Sequence, residues 1–147
     1  MKYLRAQDQV QVQDSEQEVS GALSAVQFSG TWLNTNTENP GIVRVNCKAE
    51  DGTLRVVFSG NGAPEPAHWG EAVAELLCAA SIRGGPAISF VASFDLGFKT
   101  AEVGANLNQG LLVIAVYHSF RNDNGHSNYF SREFFRRAAQ DCRAAQD

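Results

Sequence analysis

The chain of 147 residues has little of what would assign a function at sight. It carries three cysteines, Cys47, Cys78 and Cys142, an odd number, far apart and with no Cys-x-x-Cys pair. That spacing supports neither a disulfide framework nor a zinc site, and the three read as buried free thiols. No apolar run is long enough to span a bilayer, which excludes a helical membrane span. Basic residues are scarce: 12 Lys+Arg stand against 16 Asp+Glu, a net charge of −4. A surface short of positive charge argues against phosphate backbones and anionic lipid, so neither nucleic acid nor a membrane is an expected partner. Lys2 and Arg5 are followed by Gln and Asp rather than an apolar stretch, so no secretory signal is read and a cytoplasmic location is expected. A Gly-rich phosphate loop, His-Glu-x-x-His, Gly-x-Ser-x-Gly and any metal-suited cluster of His and carboxylates are all missing. Nucleotide-driven and hydrolytic motif classes drop away, and no cofactor or metal is expected.

The 44% apolar content suffices for the core of one globular domain. Residues 1–26 differ from the rest, because Gln7, Gln9, Gln11, Gln13 and Gln17 are interleaved with Asp8, Asp14, Glu16 and Glu18. So polar a stretch cannot build a core and reads as a flexible arm, although Val10 and Val12 alternate as a short edge strand would. Residues 27–147 form the expected folded domain.

From Phe28 onward, short apolar runs are separated by turn chemistry such as Asn39-Pro40-Gly41, Glu50-Asp51-Gly52, Asn108-Gln109-Gly110 and Asn122-Asp123-Asn124-Gly125. Period-2 alternation places Val43, Val45 and Cys47 on one face, then Leu54, Val56 and Phe58. Ile88, Phe90, Ala92 and Phe94 form a third face, and Ala101, Val103, Ala105 and Leu107 a fourth. Leu111 to Val116 is apolar on both sides, so a helix or a second subunit should cover its outer face.

Eight runs result: 28–34, 42–48, 53–60, 71–79, 87–94, 98–107, 111–120 and 126–134. The fourth is ambiguous, since Val73, Leu76, Leu77 and Ala80 also have helical spacing; the hairpin rhythm selects a strand. Residues from about Arg136 are rich in helix formers and predict a short C-terminal helix. Eight strands joined by hairpins close into an antiparallel up-and-down β-barrel, which removes exposed edges and can enclose one small ligand. The expected fold class is therefore all-β.

Ser29-Gly30-Thr31-Trp32-Leu33-Asn34 resembles the opening strand of the calycin superfamily, which includes lipocalins, fatty-acid-binding proteins and avidins. The lipocalin resemblance implies that Trp32 closes the barrel floor and that an Arg of the last strand, here Arg132, packs across its indole. Gly-Thr-Trp-x-Asn is similar to the avidin opening, which implies a ligand-binding role for Asn34. With only Trp32 and Trp69 in the chain, the several indoles that wrap biotin in avidins are lacking.

Pro64-Glu65-Pro66-Ala67-His68-Trp69-Gly70-Glu71 stiffens a loop that delivers His68, Trp69 and Glu71 to a barrel mouth. Trp69 there can stack on a planar ligand, with His68 and Glu71 as proton-exchanging groups; a core-capping Trp beside solvated charges is the alternative. His118 falls in phase with Leu112, Ile114 and Val116, so it is either a satisfied core histidine or an acid–base residue. Tyr129 and Glu133 share one face of the last strand.

The first expectation is a barrel binding a small, largely apolar molecule through Trp32, Asn34, His68, Trp69, Phe58 and Phe90. The second is a cofactor-free cyclase or isomerase using His118, Tyr129 and Glu71. The third is an interaction module or homo-oligomer with a filled barrel and an apolar outer strand around Val113 and Ala115. Convergence of titratable groups inside the barrel would favour the enzyme.

Overall fold

A computed structural model describes residues 25–38, 40–62, 65–79, 87–121 and 125–139. A short 3₁₀ turn, Val26–Phe28, precedes eight strands. These are β1 (Gly30–Asn34), β2 (Ile42–Glu50), β3 (Thr53–Gly60), β4 (His68–Cys78), β5 (Ala87–Asp95), β6 (Lys99–Asn108), β7 (Leu111–Phe120) and β8 (Tyr129–Arg137). Each strand pairs antiparallel with its neighbours in sequence, and β1 pairs with β8, so the sheet is a closed up-and-down barrel. The expected arm over 1–26 lies outside the described residues except for Ala25, which is fully buried, and Val26, which opens the 3₁₀ turn.

Two hairpins show how local chemistry sets the register. Asp51 and Gly52 (φ 53° and 76°) join β2 to β3, and Gln109 and Gly110 (φ 53° and 84°) join β6 to β7. Positive φ at both central residues is the type I′ geometry, whose twist matches that of the flanking strands.

The interior is packed with apolar side chains: Val45, Leu54, Val56, Phe58, Phe90, Ala101, Leu112, Ile114 and Phe135 are essentially inaccessible. Two expected faces need correction. Val43 and Ile88 point outward, 38% and 46% exposed, while Ile42 and Ala87 are buried in their place. The register shifts between Ile42 and Arg44 and between Leu77 and Cys78. At such bulges consecutive inward residues, Ile42 and Val45 or Ala87 and Phe90, stand three apart rather than two.

The C-terminal helix expected from Arg136 is also corrected at its start. Arg136 and Arg137 are the last residues of β8, opposite Leu33 and Trp32. Residues past Ala139 lie outside those described. The ambiguous segment is strand, because β4 pairs with β3 through Ala74 and with β5 from Glu75, and those ladders override helix propensity. On β7 the outward Val113 is buried, with Phe134 of β8 and Asn106 of β6 as cross-strand partners, so part of its cover comes from its own sheet.

One end of the barrel is a closed floor. The Trp32 indole donates to the Phe28 carbonyl at 3.0 Å, and Phe28 packs edge-on against Phe90. A guanidinium lies 4.3 Å from the indole centre, and it belongs to Arg137, not to the Arg132 expected there. Arg137 donates to the carbonyls of Ser29 and Gln27, both at 2.7 Å. Arg132 faces outward over Phe134. The correction follows from strand length, since β8 runs past Phe134 and brings Arg137 into phase with the inward Phe135.

Candidate functional site

The opposite end is the mouth, where β1, β3, β5 and β7 finish and β2, β4, β6 and β8 begin. Four of its polar groups are buried: Asn34, Glu65, Lys99 and His118. Lys99 opens β6 in phase with the inward Ala101 and Val103 and is 1% exposed. Its Nζ has three acceptors, Glu65 Oε1 at 2.6 Å, His118 Nδ1 at 2.9 Å and the Tyr129 hydroxyl at 3.3 Å. Three acceptors match the three protons of an ammonium. The rings of Trp69, Phe98, Phe120 and Tyr129 surround the same nitrogen at 5.4–5.8 Å, a favourable placement for a cation.

Because the ammonium donates to Nδ1, the His118 ring carries its proton on Nε2, which donates to Ser131 Oγ at 2.9 Å. Burial and, to a smaller extent, the Lys99 charge together lower the His118 pKa to about 4, with Glu65 partly opposing them. The imidazole is thus neutral near pH 7. Tyr129, directly across the ladder, stacks on it with ring centres 4.0 Å apart and donates its hydroxyl proton to Glu65 Oε1 at 3.0 Å. Burial, followed by the Glu65 hydrogen bond, pushes the Tyr129 phenol well above its ordinary value. The phenol keeps its proton throughout the neutral range.

Asn34 continues the network toward β2, donating to the Ile42 carbonyl at 2.7 Å and to the Glu133 carboxyl. Burial raises the Glu133 pKa and the nearby Glu65 charge adds to this, against the lowering effect of Asn34.

Glu65 reaches the network from the segment between β3 and β4. Gly60 makes room for that segment: a Cβ there would stand 2.2 Å from the Pro66 carbonyl, 3.0 Å from Trp69 Nε1 and 3.2 Å from Glu65 Cβ. Two buried polar atoms of this end have no hydrogen-bond partner among the described residues, Glu65 Oε2 and Trp69 Nε1, the second of them beside Gly60. One is an acceptor and the other a donor. Below them Trp69 packs against Phe58 and Phe94 at ring-centre distances of 5.6 Å.

The candidate residues therefore divide. Asn34, Trp69, Phe58, His118 and Tyr129 gather at the mouth, and Trp32 and Phe90 lie at the floor. His68 is exposed at the start of β4. Glu71 is exposed on the outer face, paired with Arg55 at 3.1 Å. Asp95 caps its own turn by accepting from the Gly97 amide and pairs with Arg121. Lys99, Glu65 and Ser131 were not singled out from the sequence. Lys99 had a usable signal in its phase with Ala101–Leu107, and Ser131 one in its phase with Tyr129 and Glu133. Comparison with protein-family models, curated proteins and solved structures finds no match to the chain.

Proposed function

We propose that the chain is a calycin-like barrel that binds a small, largely apolar molecule at its mouth. The observation that carries this reading is that two buried atoms on residues of the mouth, Glu65 Oε2 and Trp69 Nε1, have no partner among the described residues. Buried polar groups are nearly always satisfied, and leaving one unsatisfied costs about 1–3 kcal/mol. A ligand head that offers one acceptor and one donor, an alcohol or a primary amide, satisfies both. The apolar body then lies among Phe98, Phe120 and Tyr129, which are partly exposed at the rim, because aromatic side chains already occupy the interior beneath. The floor built from Trp32 and Arg137 supports the calycin assignment. Charges on the outer surface, among them Arg44, Lys48, Arg55, Glu75 and Glu102, invert the apolar exterior of a membrane-spanning barrel and support a reading without a membrane partner.

The test is tryptophan fluorescence during titration with decanamide, decanol, decanoate and decane. The amide and the alcohol saturate the signal, and Trp69→Phe, which lacks the indole N–H, weakens the amide about fivefold to tenfold when both proteins are compared by titration calorimetry. Decanoate is repelled by the Glu65 carboxylate. Equal binding of all four compounds, or of none, would overturn the reading.

A second reading, a cofactor-free cyclase or isomerase, is favoured by the convergence of Lys99, Glu65, His118 and Tyr129 at one spot. Under it, Tyr129 is the proton donor at the solvent edge. Recovery of a bound molecule chemically changed by the native protein but unchanged by Tyr129→Phe would establish it.

A further inference from the structure

A second site lies on the outer side of the barrel wall, between the mouth-end halves of β4 and β5. β4 pairs with β3 along His68–Ala74 but with β5 only along Glu75–Cys78, opposite Ala87–Val91. β5 in turn pairs with β6 from Ser89 to Asp95. Upward from Glu75 and Val91 the two strands part, so the facing backbones of Glu71–Ala74 and Ala92–Asp95 lie outside any shared ladder. The gap is an open groove of about 340 Å³. Ala72 and Ala92 are small residues on its floor, and Glu71, Glu75 and Glu102 line it together with Val73.

We propose that this groove binds an extended peptide segment bearing basic side chains. Two observations together select that occupant. Strand edges outside a ladder present alternating amide donors and carbonyl acceptors, which another peptide backbone matches in both kinds and spacing. The lining contains three carboxylates and no cation. Glu71 is shared with Arg55 and Glu102 accepts from Ser93 Oγ at 2.5 Å, while Glu75 has no ion-pair partner among the described residues. A basic segment therefore meets a negative field in addition to open hydrogen-bonding positions, and Val73, 58% exposed, offers apolar contact to the residues between its charges.

The experiment is fluorescence anisotropy with a labelled peptide of alternating Lys and Val, compared with alternating Glu and Val and with the Lys peptide N-methylated at every second residue. The Lys peptide binds at least about tenfold more tightly than either control. Glu75→Gln/Glu102→Gln, two exposed substitutions checked for folding by the amide NMR spectrum, weakens it at least about fivefold. Bound peptide also slows amide exchange at Glu71–Ala74 or Ala92–Asp95. Equal affinity for the N-methylated peptide, or displacement by spermine with no exchange protection, would show charge attraction to an amine and overturn strand addition. An absence of Lys-peptide binding up to ~1 mM would also overturn the proposal.

Discussion

Lys99 and Glu65, 34 residues apart in the chain, form an ion pair with side chains 1% and 8% exposed. Removing one partner of such a pair strands a buried charge and costs about 3–5 kcal/mol, whereas replacing both can be nearly neutral. Lys99→Met should therefore lower the urea-unfolding free energy by that amount. Adding Glu65→Gln to it should recover at least half of the loss. A cycle in which the two losses simply add would show that the pair contributes no coupling.

The same cluster sets an acid limit on stability. His118 titrates near 6.5 when unfolded and at about 4 when folded, so folding holds it in the neutral form. Its contribution is fully present above about pH 6.5 and is lost as pH falls toward 4, about 3 kcal/mol in all. Glu133 acts with the opposite sign: its raised pKa makes the folded carboxyl bind protons more readily, so its own titration offsets part of the loss. His118→Gln should flatten the stability profile between pH 6.5 and 4, measured by denaturation at a series of pH values.

At the floor, the two arginines of β8 should behave differently. Arg137 combines the Trp32 face with two carbonyl acceptors, so Arg137→Met should cost about 2–4 kcal/mol in thermal or urea unfolding. Arg132→Met changes an exposed side chain and should fall within about 0.5 kcal/mol of the parent. The reverse order would mean that the last strand is shifted in register.

Cys47 is buried and its thiol is pushed up to about 12 by burial, against a smaller lowering effect from Arg137. The thiolate is the reactive form, so Cys47 should resist alkylation in the folded protein at pH 8. In a Cys78→Ser/Cys142→Ser background, iodoacetamide labelling followed by mass spectrometry should proceed only at the rate of unfolding. Rapid labelling without denaturant would place Cys47 at the surface.

Strand number and order could be read from the sequence because each hairpin carries its own local turn signal, and Gly30 and Trp32 marked the strand that builds the floor. The phase of individual strands was harder to read. A bulge leaves no residue-type signature at Val43 or Ile88, so strict alternation carried both to the wrong side. The mouth is half legible: His118 and Tyr129 stand out by residue type, whereas the phase of Lys99 with Ala101 is outweighed by the rarity of lysines buried without a partner. Its partner Glu65 lies on a different segment between two prolines, and only the closed barrel brings the two together. Arg137 escaped for a similar reason, because helix-forming neighbours concealed the continuation of β8.

The contacts of Arg137 with Gln27 and Ser29 mean that the described body starts and finishes at the same place. Since every strand bonds to its chain neighbours and β8 to β1, the topology has no intrinsic first strand; it is a ring that the polypeptide happens to enter at the floor. The order in which strands are synthesised is then separable from the order in which they sit. A chain joined across the floor and reopened at Asp51-Gly52 would preserve every strand neighbour while making β3 the first strand to be synthesised.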